Sequence, residues 1–244
     1  MFHNHIFGEF LGTLVLILLG DGVVAGVLLN KSKGQNSGWI VITAAWGFAV
    51  VSGIFTSLAV GGVAHLNCAV TLALAIAGAT PWGEVGGLVA AQFAGAFVGA
   101  TLVWLTYLPH WAETSDKGLK LAVFCTGPAI RNIPLNMLTE VIGTCFLVII
   151  GFSLGSKGVS PTGLPAGYGP FMWGIVVWAI GMSLGGPTGY AINPNRDLGP
   201  RIAHAVLPIA GKGDSDWGYA MVPVIAPLVG AAIGAFICIK TGIV

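Results

Sequence analysis

Charge is what this sequence has least of. Only 8% of its 244 residues are Asp, Glu, Lys or Arg, against about 25% in a soluble domain, which excludes an ordinary soluble fold. The 10 basic and 9 acidic residues nearly cancel, so there is no surplus for nucleic acid and no basic cluster for anionic headgroups. Cysteine is also sparse. Cys68, Cys125, Cys145 and Cys238 have no metal-type spacing, and the last two sit in apolar runs as small buried hydrophobes. A His-Glu-x-x-His motif and a nucleophile–base constellation are both missing. The expectation is therefore a protein that is not an enzyme and holds no cofactor or metal. The first apolar run, about 6–29, has no basic residue before it and no small-residue cleavage site, so it reads as a retained span.

What is present is apolar length. Hydrophobic residues make up 55% and the mean hydropathy is +0.88. About 20 apolar residues cross a hydrocarbon core roughly 30 Å thick. Six stretches meet that need: 6–28, 39–60, 84–108, 133–155, 169–184 and 217–240. Two shorter ones, 67–78 and 193–204, rise only about 16–18 Å as helix and reach the midplane without crossing. The 38 glycines fit helices that approach closely in lipid, where packing drives association.

The two halves resemble each other. Glu9-Phe10-Leu11-Gly12-Thr13 pairs with Glu140-Val141-Ile142-Gly143-Thr144 (140 − 9 = 131), and Trp46-Gly47 with Trp173-Gly174 (173 − 46 = 127). Asn67 pairs with Asn193 (193 − 67 = 126), and Gly95-Ala96 with Gly99-Ala100 pairs with Gly230-Ala231 with Gly234-Ala235 (230 − 95 = 135). Three full spans per half turn the second half upside down relative to the first. An inverted repeat with interrupted segments at matching positions points to a site at the midplane. The chain is thus expected to be one channel domain: repeat one about 1–109, a linker about 110–132, and repeat two about 133–244.

The interrupted segments hold the polar chemistry. Gly185-Gly186-Pro187-Thr188-Gly189-Tyr190 leads into Asn193-Pro194-Asn195-Arg196-Asp197, and Gly61-Gly62-Val63-Ala64-His65-Leu66 leads into Asn67-Cys68-Ala69. Non-helical backbone at membrane depth must be buried in protein or line a wet cavity. An Asn at a helix start ties down the first turn with its oxygen, and its amide remains a donor. Pro194 suits that first turn. Two such helix starts meeting at the centre present two positive dipole ends and two donors, which welcome a neutral oxygen and repel cations. Each Asn taken singly is equally well an N-cap and nothing more. Arg196 at membrane depth needs water or a partner; the other reading is snorkelling to the interface.

These two segments resemble the paired Asn-Pro-Ala motifs of the major intrinsic protein family, the aquaporins and glycerol facilitators. The closest resemblance is to the bacterial glycerol-conducting branch, and it covers nearly the whole chain. It implies an all-α membrane protein with six transmembrane helices and two re-entrant half-helices, one pore per subunit, and a homotetramer in the bacterial cell membrane with both termini cytoplasmic. Two positions depart from the pattern: Cys68 replaces Pro and Asn195 replaces Ala. A first-turn residue does not require proline, so Cys68 leaves the half-helix intact. Asn195 either adds a hydrogen bond between the half-helices or perturbs the constriction.

By the same resemblance Trp46, Gly181, Tyr190 and Arg196 form the selectivity filter. Gly181 is expected to open the pore where water-selective members place His. Trp46 and Tyr190 supply an apolar corner, while Arg196 and carbonyls from Gly185, Gly186, Thr188 and Gly189 serve hydroxyls. Tyr107, Asp197, Arg201 and Pro223 agree with the glycerol-conducting branch. Tyr190 stands where Phe is more usual. His65 is expected to line the pore or orient backbone, with no metal role. Glu9 and Glu140 are read as the remaining intramembrane acids, each holding the irregular backbone before a half-helix.

The implied function is a passive channel for glycerol, water and other small uncharged solutes, including protonated lactic acid, that excludes ions and protons. A proton-coupled secondary transporter using Glu9 and Glu140 is the other reading, because inverted repeats and broken helices occur there too. Charge conflicts with the implied orientation. Lys31, Lys33, Lys117, Lys120, Arg131 and Lys212 fall on the side assigned outside, against Lys157 and Lys240 inside, whereas basic residues favour the cytoplasm.

Overall fold

The computed structural model describes residues 4–244. Among them are ten helices: α1 (His5–Leu28), α2 (Trp39–Ala59), α3 (Cys68–Ile76), α4 (Trp82–Thr106), α5 (Leu108–Glu113), α6 (Lys117–Phe124), α7 (Ile133–Gly155), α8 (Tyr168–Leu184), α9 (Pro194–Val206) and α10 (Met221–Thr241). Helices α1, α2, α4, α7 and α10 are long and apolar enough to cross a bilayer. At 17 residues, α8 is shorter and rises about 26 Å. The linker is not a plain surface strap, because it folds into α5 and α6. Asp116 starts α6 by accepting from the Gly118 and Leu119 amides, the usual way an aspartate satisfies free N–H groups at a helix start.

The order long, long, short, long occurs twice, as α1–α4 and α7–α10. In each half the first and last helices pack tightly, α1 on α4 and α7 on α10. The matched glycines explain how. A Cβ on Gly99 would lie 2.7 Å from the Leu14 carbonyl, and one on Gly234 would lie 2.8 Å from the Cys145 carbonyl. Both are backbone contacts that no rotamer change relieves, so small residues set the helix separation here.

The halves join where α2 crosses α8. A Cβ on Gly47 would meet the Gly174 carbonyl at 2.8 Å, and one on Gly174 would meet the Gly47 carbonyl at 2.6 Å. The half-helices then pack crosswise as well as within their own halves: α3 against α10, and α9 against α4. This brings the starts of α3 and α9 together at the centre.

Candidate functional site

Each half-helix begins on its asparagine. The Asn67 oxygen accepts from the Ala69 amide at 2.8 Å, and the Asn193 oxygen accepts from Asn195 at 3.1 Å and Arg196 at 3.4 Å. The side-chain amides also reach across. Asn67 Nδ2 donates to the Ile192 carbonyl and Asn193 Nδ2 to the Leu66 carbonyl, both at 2.8 Å. Sequence reasoning left these amides wholly free; in the structure each commits one N–H to the opposite segment and keeps the other. Both asparagines line a cavity of about 790 Å³.

The extended segments before the half-helices share an unusual backbone. Ala64 and Leu66 have φ of 58° and 55°, and Tyr190 and Ile192 have 41° and 43°, again 126 residues apart (190 − 64 = 126). Left-handed φ is uncommon for residues bearing a Cβ and persists only where surrounding structure imposes it. The imposing groups are the two glutamates. Glu9, fully buried, accepts from the amides of His65 at 2.8 Å and Leu66 at 2.7 Å, and from Gln92 Nε2 at 2.6 Å. Glu140 accepts from the Thr188 hydroxyl at 2.7 Å and from the amides of Ala191 at 2.9 Å and Ile192 at 2.8 Å.

The Asn195 side chain bonds neither to the other half-helix nor into the cavity. Its Nδ2 donates to Gln92 Oε1 at 2.8 Å, and Gln92 Nε2 also donates to the Thr71 hydroxyl at 2.9 Å. The link from this side chain to α3 therefore runs indirectly, through a glutamine on α4. His65 contacts the same Thr71 hydroxyl through Nδ1 at 3.1 Å and lines the cavity. Cys68 opens α3 as its first residue, where the missing proline leaves the cap unharmed.

Trp46, Tyr190 and Arg196 also line the cavity. The Arg196 guanidinium sits 4.2 Å from the Trp46 ring centroid, within cation–π range, and its NH1 donates to the Phe124 carbonyl at 3.4 Å. Gly181 has a contact the sequence did not suggest. A Cβ there would fall 2.7 Å from Tyr190 Cζ and 3.0 Å from its hydroxyl, so the missing side chain makes room for the Tyr190 ring. Trp39, unanticipated, closes over the same spot. Its indole donates to the Gly181 carbonyl at 3.1 Å and meets Tyr190 edge-on at 5.8 Å.

Tyr190 to Asn193 line this cavity, and Gly185, Gly186, Thr188 and Gly189, where the carbonyls were expected, lie outside it. The latter form a turn in which the Gly189 amide donates to the Gly185 carbonyl at 2.8 Å. Leu16, Val50, Ile54, Val70 and Leu147 supply apolar lining to the same cavity.

The first turns of α9 are tied to the linker through Asp197 and Arg201. Asp197 accepts from the Thr126 amide and hydroxyl at 2.8 and 2.7 Å and from Arg201 Nε at 2.8 Å. Arg201 in turn donates to the carbonyls of Thr126, Ser215 and Asp216. Lys212, beyond the spans, donates to the carbonyls of His204, Ala205 and Leu207 at 2.6–2.7 Å and so satisfies the end of α9. Burial lowers its ammonium from the usual lysine value.

The reading of Glu9 and Glu140 as the remaining acids in the spans is incomplete. Asp21, on α1, is fully buried, and its Oδ1 lies 3.5 Å from Arg196 NH1. A single acid inside Gly20-Asp21-Gly22 was its signal. Gln92, the hub of the central network, was likewise visible as a lone amide in an apolar run.

Comparison with known proteins places this geometry. The family model for the major intrinsic proteins matches residues 1–238. The chain belongs to the major intrinsic protein family. Within it, a probable glycerol uptake facilitator protein of Thermotoga maritima is 58% identical over 227 residues, covering 93% of this chain and 94% of the relative. A D/L-lactic acid transporter of Lactiplantibacillus plantarum is 41% identical over 237 residues, with 96% and 95% covered. The aquaglyceroporin of Plasmodium falciparum superposes with a TM-score of 0.85 at 28% identity, over 97% of this chain and 95% of that one. The aquaporin-type fold of long helices and paired half-helices is thus shared across distant members of the family.

Proposed function

We propose that the chain is a passive membrane channel for glycerol, water and other small uncharged solutes, including protonated lactic acid. The observation that carries this reading is the mixed lining of the cavity. Tyr190–Asn193, Asn67 and Arg196 supply polar groups, and Leu16, Val50, Ile54 and Leu147 supply apolar ones. A polyol needs both, partners for its hydroxyls and apolar contact for its carbons. Relatives that are glycerol uptake facilitators and a lactic acid transporter support the same solute class.

In this reading Trp46, Tyr190 and Arg196 form the narrow filter, and Gly181 shapes it by seating Tyr190. Asn67 and Asn193 present one remaining N–H each to a passing oxygen. Two donors at the positive ends of two half-helices hold a central water as acceptor only and repel cations. Glu9 and Glu140 are structural: every hydrogen-bonding partner donates to them, and besides the Gln92 and Thr188 side chains those partners are backbone amides of the segments that lead into the half-helices. The subunit assembles as a homotetramer with both termini cytoplasmic, since fold and filter polarity are tied together.

Stopped-flow swelling of proteoliposomes across water, glycerol, larger polyols and lactic acid tests the reading. It predicts downhill entry of the small neutral solutes. Glycerol entry no faster than in empty liposomes would overturn it.

A further inference from the structure

Arg196 is not alone in the filter. Its guanidinium is held by Trp46 of α2 on one face, by the Phe124 carbonyl of α6, and by the carboxylate of Asp21 on α1. On its own helix the neighbouring charges, Asp197 and Arg201, bind each other. Asp21 is fully buried and does not line the cavity, and neither of its oxygens has a hydrogen-bond partner among the described residues. Arg196 is the cation within ion-pair range of it. Gly20 lets Asp21 come this close, because α1 rests directly on the Trp46 ring there and a Cβ would fall 2.6 Å from Trp46 Cε3.

We propose that Asp21 is a specificity-determining positioning residue that neutralises Arg196 from behind, so that the filter presents donors without net positive charge. The inference rests on the channel reading above. A buried charge without a partner is costly, and here each of the two supplies the other's partner. The four charges around the constriction, Asp21, Asp197, Arg196 and Arg201, sum to zero. An anion entering past an unbalanced Arg196 would be attracted; past the pair it meets dipoles and pays its dehydration unaided. Conversely, Asp21 without Arg196 would attract cations. The pair keeps the filter closed to both signs while Arg196 still donates to hydroxyls.

The test uses the full chain in proteoliposomes, with nitrate and potassium fluxes each expressed relative to glycerol flux. Asp21→Asn is expected to raise the nitrate ratio on the order of ten- to hundredfold, the effect of one unit charge roughly 7 Å from the ion at an effective dielectric of about 20. Asp21→Glu is expected to restore it toward wild type, which a merely space-filling role does not require. Arg196→Gln is expected to raise the potassium ratio, and adding Asp21→Asn to it to reverse that rise. An unchanged nitrate ratio in Asp21→Asn overturns the proposal. If that single variant does not fold, the comparison of Arg196→Gln with the double variant decides, and equal potassium ratios overturn it. Absence of glycerol flux in the wild type would instead refute the channel reading, a separate failure.

Discussion

Replacing Glu140 by Gln separates a structural carboxylate from a proton carrier. The two Glu140 oxygens accept three hydrogen bonds, from the Thr188 hydroxyl and from the amides of Ala191 and Ile192 at 2.7–2.9 Å. Gln keeps one accepting oxygen and turns the other position into a donor. Thr188 can rotate its hydroxyl to accept, but a backbone amide cannot. The Gln side chain therefore leaves one buried amide facing a donor. A buried polar group left without its partner costs about 1–3 kcal/mol, and hydrogen bonds to charged groups lie toward the upper end of that range. The same bonds hold Tyr190 and Ile192 at φ of 41° and 43°, so part of the loss appears as displacement of the solute-facing carbonyls. The expected outcome is a lower unfolding temperature in detergent together with slower glycerol flux, at least severalfold. Glu9→Gln should do the same through His65 and Leu66. Wild-type stability and flux in both variants, with loss of proton-coupled uptake, would refute the structural assignment and favour the transporter.

Other consequences are equally direct. Gly181→Ala places a methyl 2.7 Å from Tyr190 Cζ, and Gly181→His places far more. Both should slow glycerol flux by driving the ring toward the passage, and Tyr190→Ala added to Gly181→Ala should recover flux in the same swelling assay. Gly99→Val drives branched carbon into the Leu14 carbonyl; overpacking of this kind costs about 1–3 kcal/mol or more, and should lower the thermal midpoint measured in detergent. Asn195→Ala installs the residue usual in the family motif yet should destabilise this chain by about 1–3 kcal/mol. It strips a partner from the buried Gln92 carbonyl oxygen, and denaturation in mild detergent reads the loss. Lactic acid flux should follow its neutral form, falling about tenfold per pH unit above the acid's own pKa; flux equal at acid and neutral pH would contradict this.

Much of the fold was legible because it is repeated. Glu9 and Glu140, Asn67 and Asn193, and Gly47 and Gly174 each announce a partner at nearly constant spacing, and a pair at matched positions is hard to read as chance. The half-helices were legible from length alone, since twelve residues of helix cannot cross a bilayer. What failed to show were contacts between residues with no repeat mate. Gly181 reads as open space in sequence, because nothing in the chain says that Tyr190, nine residues on, turns back to fill it. Asn195 invites a partner on the facing half-helix, and only the crosswise packing of α9 on α4 reveals Gln92. Asp21 was written in plain view inside an apolar run, but its meaning depends on Arg196, 175 residues away (196 − 21 = 175). The helices α5 and α6 were missed because a charged linker reads as surface loop, although the Asp116 cap before α6 was a usable signal.

The central claim is that neutral solutes pass downhill through the cavity between the two asparagines without accompanying charge. Simultaneous recording of glycerol entry and proton current in proteoliposomes containing the wild-type chain tests it most directly. Glycerol entry along its gradient, with no proton or electrical current above that of empty liposomes, is the predicted result. Glycerol entry that requires a proton gradient, or that carries a matching current, would contradict it.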